Sequence, residues 1–193
     1  KNKEFNSVGY YKVALERYNI DVELTASGRV GFHRYTYPSS KKSRVIIDLG
    51  EGSADRPTET YLKRVNDTTF QGHRFSSGWA SDQREYFTLI LSKPVTDFIL
   101  YDRDKKFKGD ELKGTYVKGF LEFETKKNEE IYVKMGVSTV SSENALENMI
   151  VEIPHWDFDK VKKSAENKWN QELSKINITT KDLKRKRVFY TAM

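Results

Sequence analysis

The chain has 193 residues, 34 Lys+Arg against 28 Asp+Glu for a formal charge of +6, and no cysteine. Such a length suits one domain with an appendage, and 11 Tyr, 11 Phe and 3 Trp call for a packed interior and exclude intrinsic disorder. The lack of cysteine excludes a disulfide scaffold, a thiolate metal site and a cysteine nucleophile, and no apolar run reaches the roughly 20 residues of a membrane span.

The first six residues, Lys1–Asn6, hold no apolar signal-peptide core. Thereafter apolar and polar residues alternate in short runs, the period of half-buried strands. The alternation predicts about ten strands, at 11–17, 20–24, 29–37, 44–49, 61–66, 69–76, 85–92, 95–102, 116–123 and 130–139. Strand-stopping connectors separate them, among them Ala26-Ser-Gly28, Pro38-Ser-Ser, Gly50-Glu-Gly52 and Ser92-Lys-Pro94. No helical pattern lies between successive strands, so parallel βαβ units are disfavoured. The expected fold is mainly β, an antiparallel β-sandwich followed by C-terminal α-helices.

Ser141 and Ser142 offer caps for a short helix carrying Ala145, Leu146 and Met149, after which Ile150–Ile153 reads as a strand ended by Pro154. From Asp157, a good N-cap, the apolar residues Phe158, Val161, Ala165, Trp169, Leu173 and Ile176 follow at spacings of 3, 4, 4, 4 and 3, an amphipathic helical stripe. Thr179 with Asp182 reads as a capping box that starts a last helix. Ten basic and three acidic residues lie between Lys160 and Arg187, net +7, which leaves 24 basic and 25 acidic residues elsewhere, net −1. The expected division is therefore a near-neutral sandwich over 1–154 and basic helices over 155–193. Those basic residues share their helices with an apolar stripe and no aromatic platform interleaves them, so no nucleic-acid partner is expected.

The 11 glycines form no phosphate-cradling loop, which removes the main support for kinase, GTPase and dehydrogenase readings. Asp102–Glu111 begins like a calcium loop, but Lys106 stands at a ligand position and Phe107 at the required glycine, so a lysine-rich turn is the better reading and no metal is assigned. His33, His73 and His155 are far apart in sequence, and a triad on His73 with Ser76 or Ser77 lacks elbow glycines and an acid. Asn66-Asp-Thr68 and Asn177-Ile-Thr179 match a glycosylation pattern that is frequent by chance. The segment Gly72–Ala80 stands out, because Trp79 between Gly78 and Ala80, with Arg74, His73 and Gln83 nearby, has the indole and the forked donors of a carbohydrate subsite. Burial tendencies favour the competing reading, a core tryptophan. Trp156 and Trp169 read as structural.

A set of separated words then carries a resemblance: Gly9-Tyr10-Tyr11, Glu23-Leu24-Thr25-Ala26, Arg29–Tyr35, Ser77-Gly78-Trp79-Ala80, Tyr86-Phe87, Ser92-Lys93-Pro94, Ser142–Ala145, Trp156-Asp157-Phe158, Trp169-Asn170 and Phe189–Ala192. In this order they resemble the N-terminal β-sandwich domain of glycoside hydrolase family 92, the exo-acting α-mannosidases. The resemblance implies a galactose-mutarotase-like supersandwich, with 155–193 as linker helices leading to an (α/α)6 catalytic barrel. It also implies an inverting, calcium-dependent hydrolase of mannose-containing glycans, secreted, periplasmic or on the cell surface. In such an enzyme the general acid, the general base and the calcium ligands belong mainly to the barrel, so no catalytic residue is assigned in this chain. The upstream part of the sandwich, with a Gly-Phe-Ser-His type motif, is expected before Lys1 and the barrel after Ala192. The function so implied is the non-catalytic sandwich portion of an α-mannosidase; a free-standing carbohydrate-binding module is the alternative.

Overall fold

The computed structural model describes residues 3–193, as thirteen strands and three helices. A large antiparallel sheet has the order β1(Glu4–Ser7), β2(Tyr10–Leu15), β3(Ile20–Ala26), β4(Val30–Tyr37), β13(Glu129–Ser138), β8(Gln83–Leu91), β7(Thr69–Ser77), β6(Arg56–Arg64), β11(Glu111–Gly114). A small sheet, β10(Lys105–Phe107), β9(Asp97–Asp102), β12(Val117–Thr125), β5(Ser40–Asp48), packs on one face of it. The expected antiparallel sandwich is present. Its short strands β1, β10 and β11 were not anticipated, because three or four residues carry too little alternation to register. The turn at Arg103, whose φ is +52°, joins β9 to β10, so the sequence that began like a calcium loop is a hairpin.

The central strands of the large sheet, β4, β13 and β8, serve two cores, since successive side chains point to opposite faces. Between the sheets lie Leu62, Phe70, Phe87, Leu89, Leu91, Leu100, Leu121, Phe123, Ile131 and Val133. On the outer face Tyr10, Val30 and Phe32 pack against Met149 of α1(Ser142–Glu152), Ile153 just past its end, and Phe158 and Val161 of α2(Phe158–Leu173). In β13 the division falls between neighbours, Val133 inward and Lys134 outward. Lys134 is only 6% exposed, donates to the Ile153 carbonyl at 3.0 Å and lies 4.2 Å from the Trp156 ring centre. Burial pushes its ammonium pKa down. At Gly136 a Cβ would collide with the Ala145 carbonyl, so this glycine lets α1 lie directly on the sheet.

Ser141 caps α1 by accepting from the Asn144 amide, and Asp157 caps α2 by accepting from that of Lys160, as their positions suggested. Two local expectations are corrected. Ile150–Ile153 is not a strand: α1 runs to Glu152, and the Ile153 amide closes it on the Met149 carbonyl at 2.9 Å. Thr179 does not cap α3(Leu183–Ala192); Asp182 does, accepting from the amides of Lys184 and Arg185. Of the α2 stripe only Phe158, Val161 and Ala165 are buried; Trp169 and Ile176 stand half-exposed, and α3 buries no residue. An ion-pair network fixes the first half of α2. Arg34 forks onto Glu23 at 2.8 and 3.0 Å and reaches Asp159 at 3.1 Å, while the Tyr10 hydroxyl donates to Glu23.

Candidate functional site

At the end of the large sheet, β7 and β8 bring two cross-strand pairs to the inner face, Arg74 opposite Glu85 and Ser76 opposite Gln83. The loop between them carries Trp79, and the 49–55 segment closes the other side with Asp55. Together they line an open cleft of about 370 Å3. Trp79 is fully exposed, which corrects the core reading for this residue. Its neighbours explain why: the Gly78 amide donates to the Ala80 carbonyl at 2.9 Å in a tight reversal that turns the indole away from both sheets.

The cleft is built around one ion pair. Arg74 Nη1 and Nη2 donate to the two Asp55 oxygens at 2.6 and 3.1 Å, and Nε donates to the Leu49 carbonyl at 3.1 Å. Hydrogen bonds from Arg74 are the largest cause that holds the Asp55 carboxyl down at about 2. Asp55 is thus a fixed charge partner and no proton donor near neutrality. Two glycines accommodate this clamp: a Cβ on Gly52 would strike the Asp55 carboxylate and the Arg74 guanidinium, and one on Gly78 would sit 2.8 Å from the Asp55 Cβ. Ser76 Oγ donates to Gln83 Oε1 at 3.2 Å, which leaves the Gln83 amide nitrogen as the donor available to a ligand. Glu51 and Glu85 add carboxylate acceptors to the rim.

Of the four residues singled out in the sequence, Trp79, Arg74 and Gln83 meet in this cleft. His73 does not. One residue from Arg74 along β7, it points to the outer face, donates from Nε2 to the Glu59 carboxylate at 2.9 Å, and is stacked against Phe75 (4.2 Å) and Tyr61 (5.4 Å). His33 does not line this cleft but shares the neighbouring inner-face cavity with Arg74 and Glu85; its Nδ1 lies 2.7 Å from the Tyr35 hydroxyl and burial pushes its pKa down. Asp55 and Glu85 were not singled out. The 19-residue separation of Asp55 from Arg74 hides the clamp, although the Gly50–Gly52 segment marked the loop that delivers it. Among the described residues no group of three or more His, Asp or Glu side chains is placed to hold a metal ion, and no helix is long and apolar enough to cross a membrane. The cleft therefore offers an aromatic face, an amide donor and carboxylate acceptors: the means to bind a polyhydroxylated ligand, without an evident acid–base pair.

A model of the N-terminal domain of glycosyl hydrolase family 92 matches residues 1–138, and a model of the catalytic domain of that family matches residues 144–193. None of the curated proteins matches the chain. Among solved structures, a family GH92 α-mannosidase of Bacteroides thetaiotaomicron is 31% identical with a TM-score of 0.91, over 98% of this chain and 27% of its own. A further structure of that enzyme holds mannoimidazole. An inverting GH92 mannosidase of the same organism, 19% identical with a TM-score of 0.81 over 92% of this chain and 24% of its own, shares the fold. The chain thus spans about a quarter of the length of these solved relatives. With a domain model matched over most of its length, the chain belongs to glycoside hydrolase family 92.

Proposed function

We propose that this chain is the non-catalytic sandwich portion of an exo-acting, inverting α-mannosidase, and that the Trp79 cleft forms one wall of its carbohydrate pocket. The observation that carries the reading is the exposed indole beside Gln83, held by the Arg74–Asp55 clamp. Sugars present CH faces to an indole and hydroxyls to amide and carboxylate groups. In this reading Trp79 and Gln83 touch the sugar, whereas Arg74 is a positioning residue, most of its donors being committed to Asp55 and Leu49. His73 has no part in it.

An inverting glycosidase needs a carboxylic acid and a second carboxylate about 6.5–9.5 Å apart. In the proposed division of labour both come from a catalytic (α/α)6 domain outside these residues. Calcium, if the parent enzyme uses it, also has its ligands there, since the side chains here do not form a set for it. The helices α1–α3 are the proposed link to that domain. Their exposed apolar residues Ile150, Val151, Trp169, Ile176, Leu183 and Val188 are the proposed contact with the rest of that domain, whose family model already matches residues 144–193. The natural setting is a secreted, periplasmic or cell-surface enzyme acting on mannose-containing glycans.

Two measurements test this. The 193-residue chain should release no aryl alcohol from an aryl α-mannoside; turnover abolished by substitution of a single carboxylate of this chain would refute the division of labour. In the whole enzyme, Trp79→Ala should lower kcat/KM about 5- to 30-fold, the loss of a stacking contact of about 1–2 kcal/mol. Saturable mannose binding by the 193-residue chain alone, lost in Trp79→Ala, would instead identify a free-standing binding module.

A further inference from the structure

On the outer face of the large sheet, away from the Trp79 cleft, α2 packs on β3 and β4, and a second cleft of about 450 Å3 lies between this helix and the β3–β4 turn. Both of its walls are held in place. Glu152, at the end of α1, accepts from the Ser27 hydroxyl and from the amide and Nε of Arg29, which ties the turn to that helix. Opposite it, Val161 and Ala165 of α2 are buried and supply the apolar part of the lining together with Ala26. The same helix brings Lys160, Ser164 and Lys168 to the cleft, four residues apart and so in one row along its surface. His155 adds a donor: its Nδ1 accepts from the Asp157 amide at 3.3 Å, so the ring proton is on Nε2.

The charges of α2 are segregated. Asp159 pairs with Arg34, Glu166 with Lys163 and Glu172 with Lys175, whereas among the described residues no carboxylate pairs with Lys160 or Lys168. The carboxylate that does line the cleft, Glu152, is balanced by Arg29 at 2.7 Å. Lys160 and Lys168 therefore bring positive charge to the cleft without a counter-charge from the protein. We propose that this cleft binds a phosphate group, carried by a phosphomonoester or present as the free ion. Ammonium groups and single O–H and N–H donors are point donors that suit a tetrahedral oxyanion, whereas a planar carboxylate is matched best by an arginine fork. Arg29, beside the cleft, has its Nε committed to Glu152. Ser164 donates from the middle of the row, and the long stems of Lys160 and Lys168 span the turn that separates each from it. Ala26, Val161 and Ala165 offer apolar surface to the carrier of the phosphate, in a volume that suits a small ligand.

Calorimetric titration of the native polypeptide and of the 193-residue chain, at constant ionic strength, tests the site with glucose 6-phosphate, inorganic phosphate and glucuronate as probes. No mannoside is involved, so the outcome is independent of the carbohydrate reading of the Trp79 cleft. The site requires saturable binding of a phosphate probe, weakened at least about tenfold in Lys160→Gln and in Lys168→Gln. Binding should be unchanged in Lys175→Gln, whose ammonium is already paired with Glu172. All three lysines are exposed, so the substitutions leave the cores intact. Tighter binding of glucose 6-phosphate than of the free ion identifies a phosphomonoester as the ligand; equal or weaker binding identifies phosphate itself. Absence of saturation by either below about 10 mM overturns the proposal. So does equal weakening in all three variants, which is the mark of diffuse charge, or glucuronate binding as tight as that of the phosphates. Binding by the 193-residue chain but not by the native polypeptide overturns it as well, because the cleft then belongs to a contact within the longer protein.

Discussion

Arg34 and Trp79 lie at opposite ends of the range of energetic roles a side chain can have. Arg34 sits in a nearly buried network, and its removal leaves the Glu23 carboxylate without its fork. Arg34→Ala should destabilise the chain by about 3 kcal/mol, measured by urea unfolding. Trp79→Ala should leave the melting temperature within about 1 °C of the parent, because an exposed ring contributes no burial; a drop of 5 °C would place the indole in a core. The alternation of β7 was sufficient to separate His73 from Arg74, since neighbours in a strand face opposite ways. The exposure of Trp79 was also legible, in the Gly and Ala on either side, although average burial tendencies of tryptophan pointed elsewhere. The Asp55–Arg74 clamp was not legible, because it depends on how a loop returns to the sheet and no local pattern encodes that.

At the scale of elements, the docking of α1 rests on two contacts of different kinds. The first is steric, and Gly136→Val should push the helix off β13 at a cost of about 1–3 kcal/mol. In a chain of this size that lowers the melting temperature by about 2–12 °C. The second is electrostatic. Glu152, at the end of α1, accepts from Ser27 Oγ at 2.6 Å, the Arg29 amide at 2.9 Å and Arg29 Nε at 2.7 Å. Burial alone would raise its pKa, but these hydrogen bonds together outweigh it and bring the carboxyl down to about 2. A depressed carboxyl pKa stabilises the fold above the unfolded value near 4.5, and the contribution fades as pH falls toward 2. Glu152→Gln should therefore cost about 2 kcal/mol at pH 7 and nothing at pH 2, checked by denaturant midpoints across that range. Helix starts at Ser141 and Asp157 could be read because capping is chemistry local to four residues. Ile150–Ile153 misled because β-branched residues favour strands in isolation; contact of Met149 and Ile153 with the outer core decides otherwise.

On the scale of the whole molecule, stability is unevenly distributed. The inner core and the contact of α1 and early α2 with the sheet contain the large buried side chains, whereas α3 contains none. Amides of α3 should exchange at least about a hundredfold faster than those of Val161–Ala165 in the isolated chain. Equal protection would mean that α3 docks where no contact is seen. The mainly antiparallel class could be inferred from two-residue periodicity alone. The inequality of the sheets could not, because strand order and the position of a free edge depend on pairings between distant segments.

β13 is bordered on both sides by long strands of the large sheet, and among the described strands it is the one that α1 covers most. It is shared property of the two cores, with Ile131, Val133 and Met135 assigned to one and Lys134 and Gly136 to the other. Such a strand has no tolerance for phase. Insertion of one residue before Ile131 would turn the Lys134 ammonium in among the leucines and phenylalanines and present a methionine to the backbone of α1. Both layers would fail at once, so the molecule should melt in a single step, and its evolutionary record along β13 should contain substitutions but no insertions or deletions.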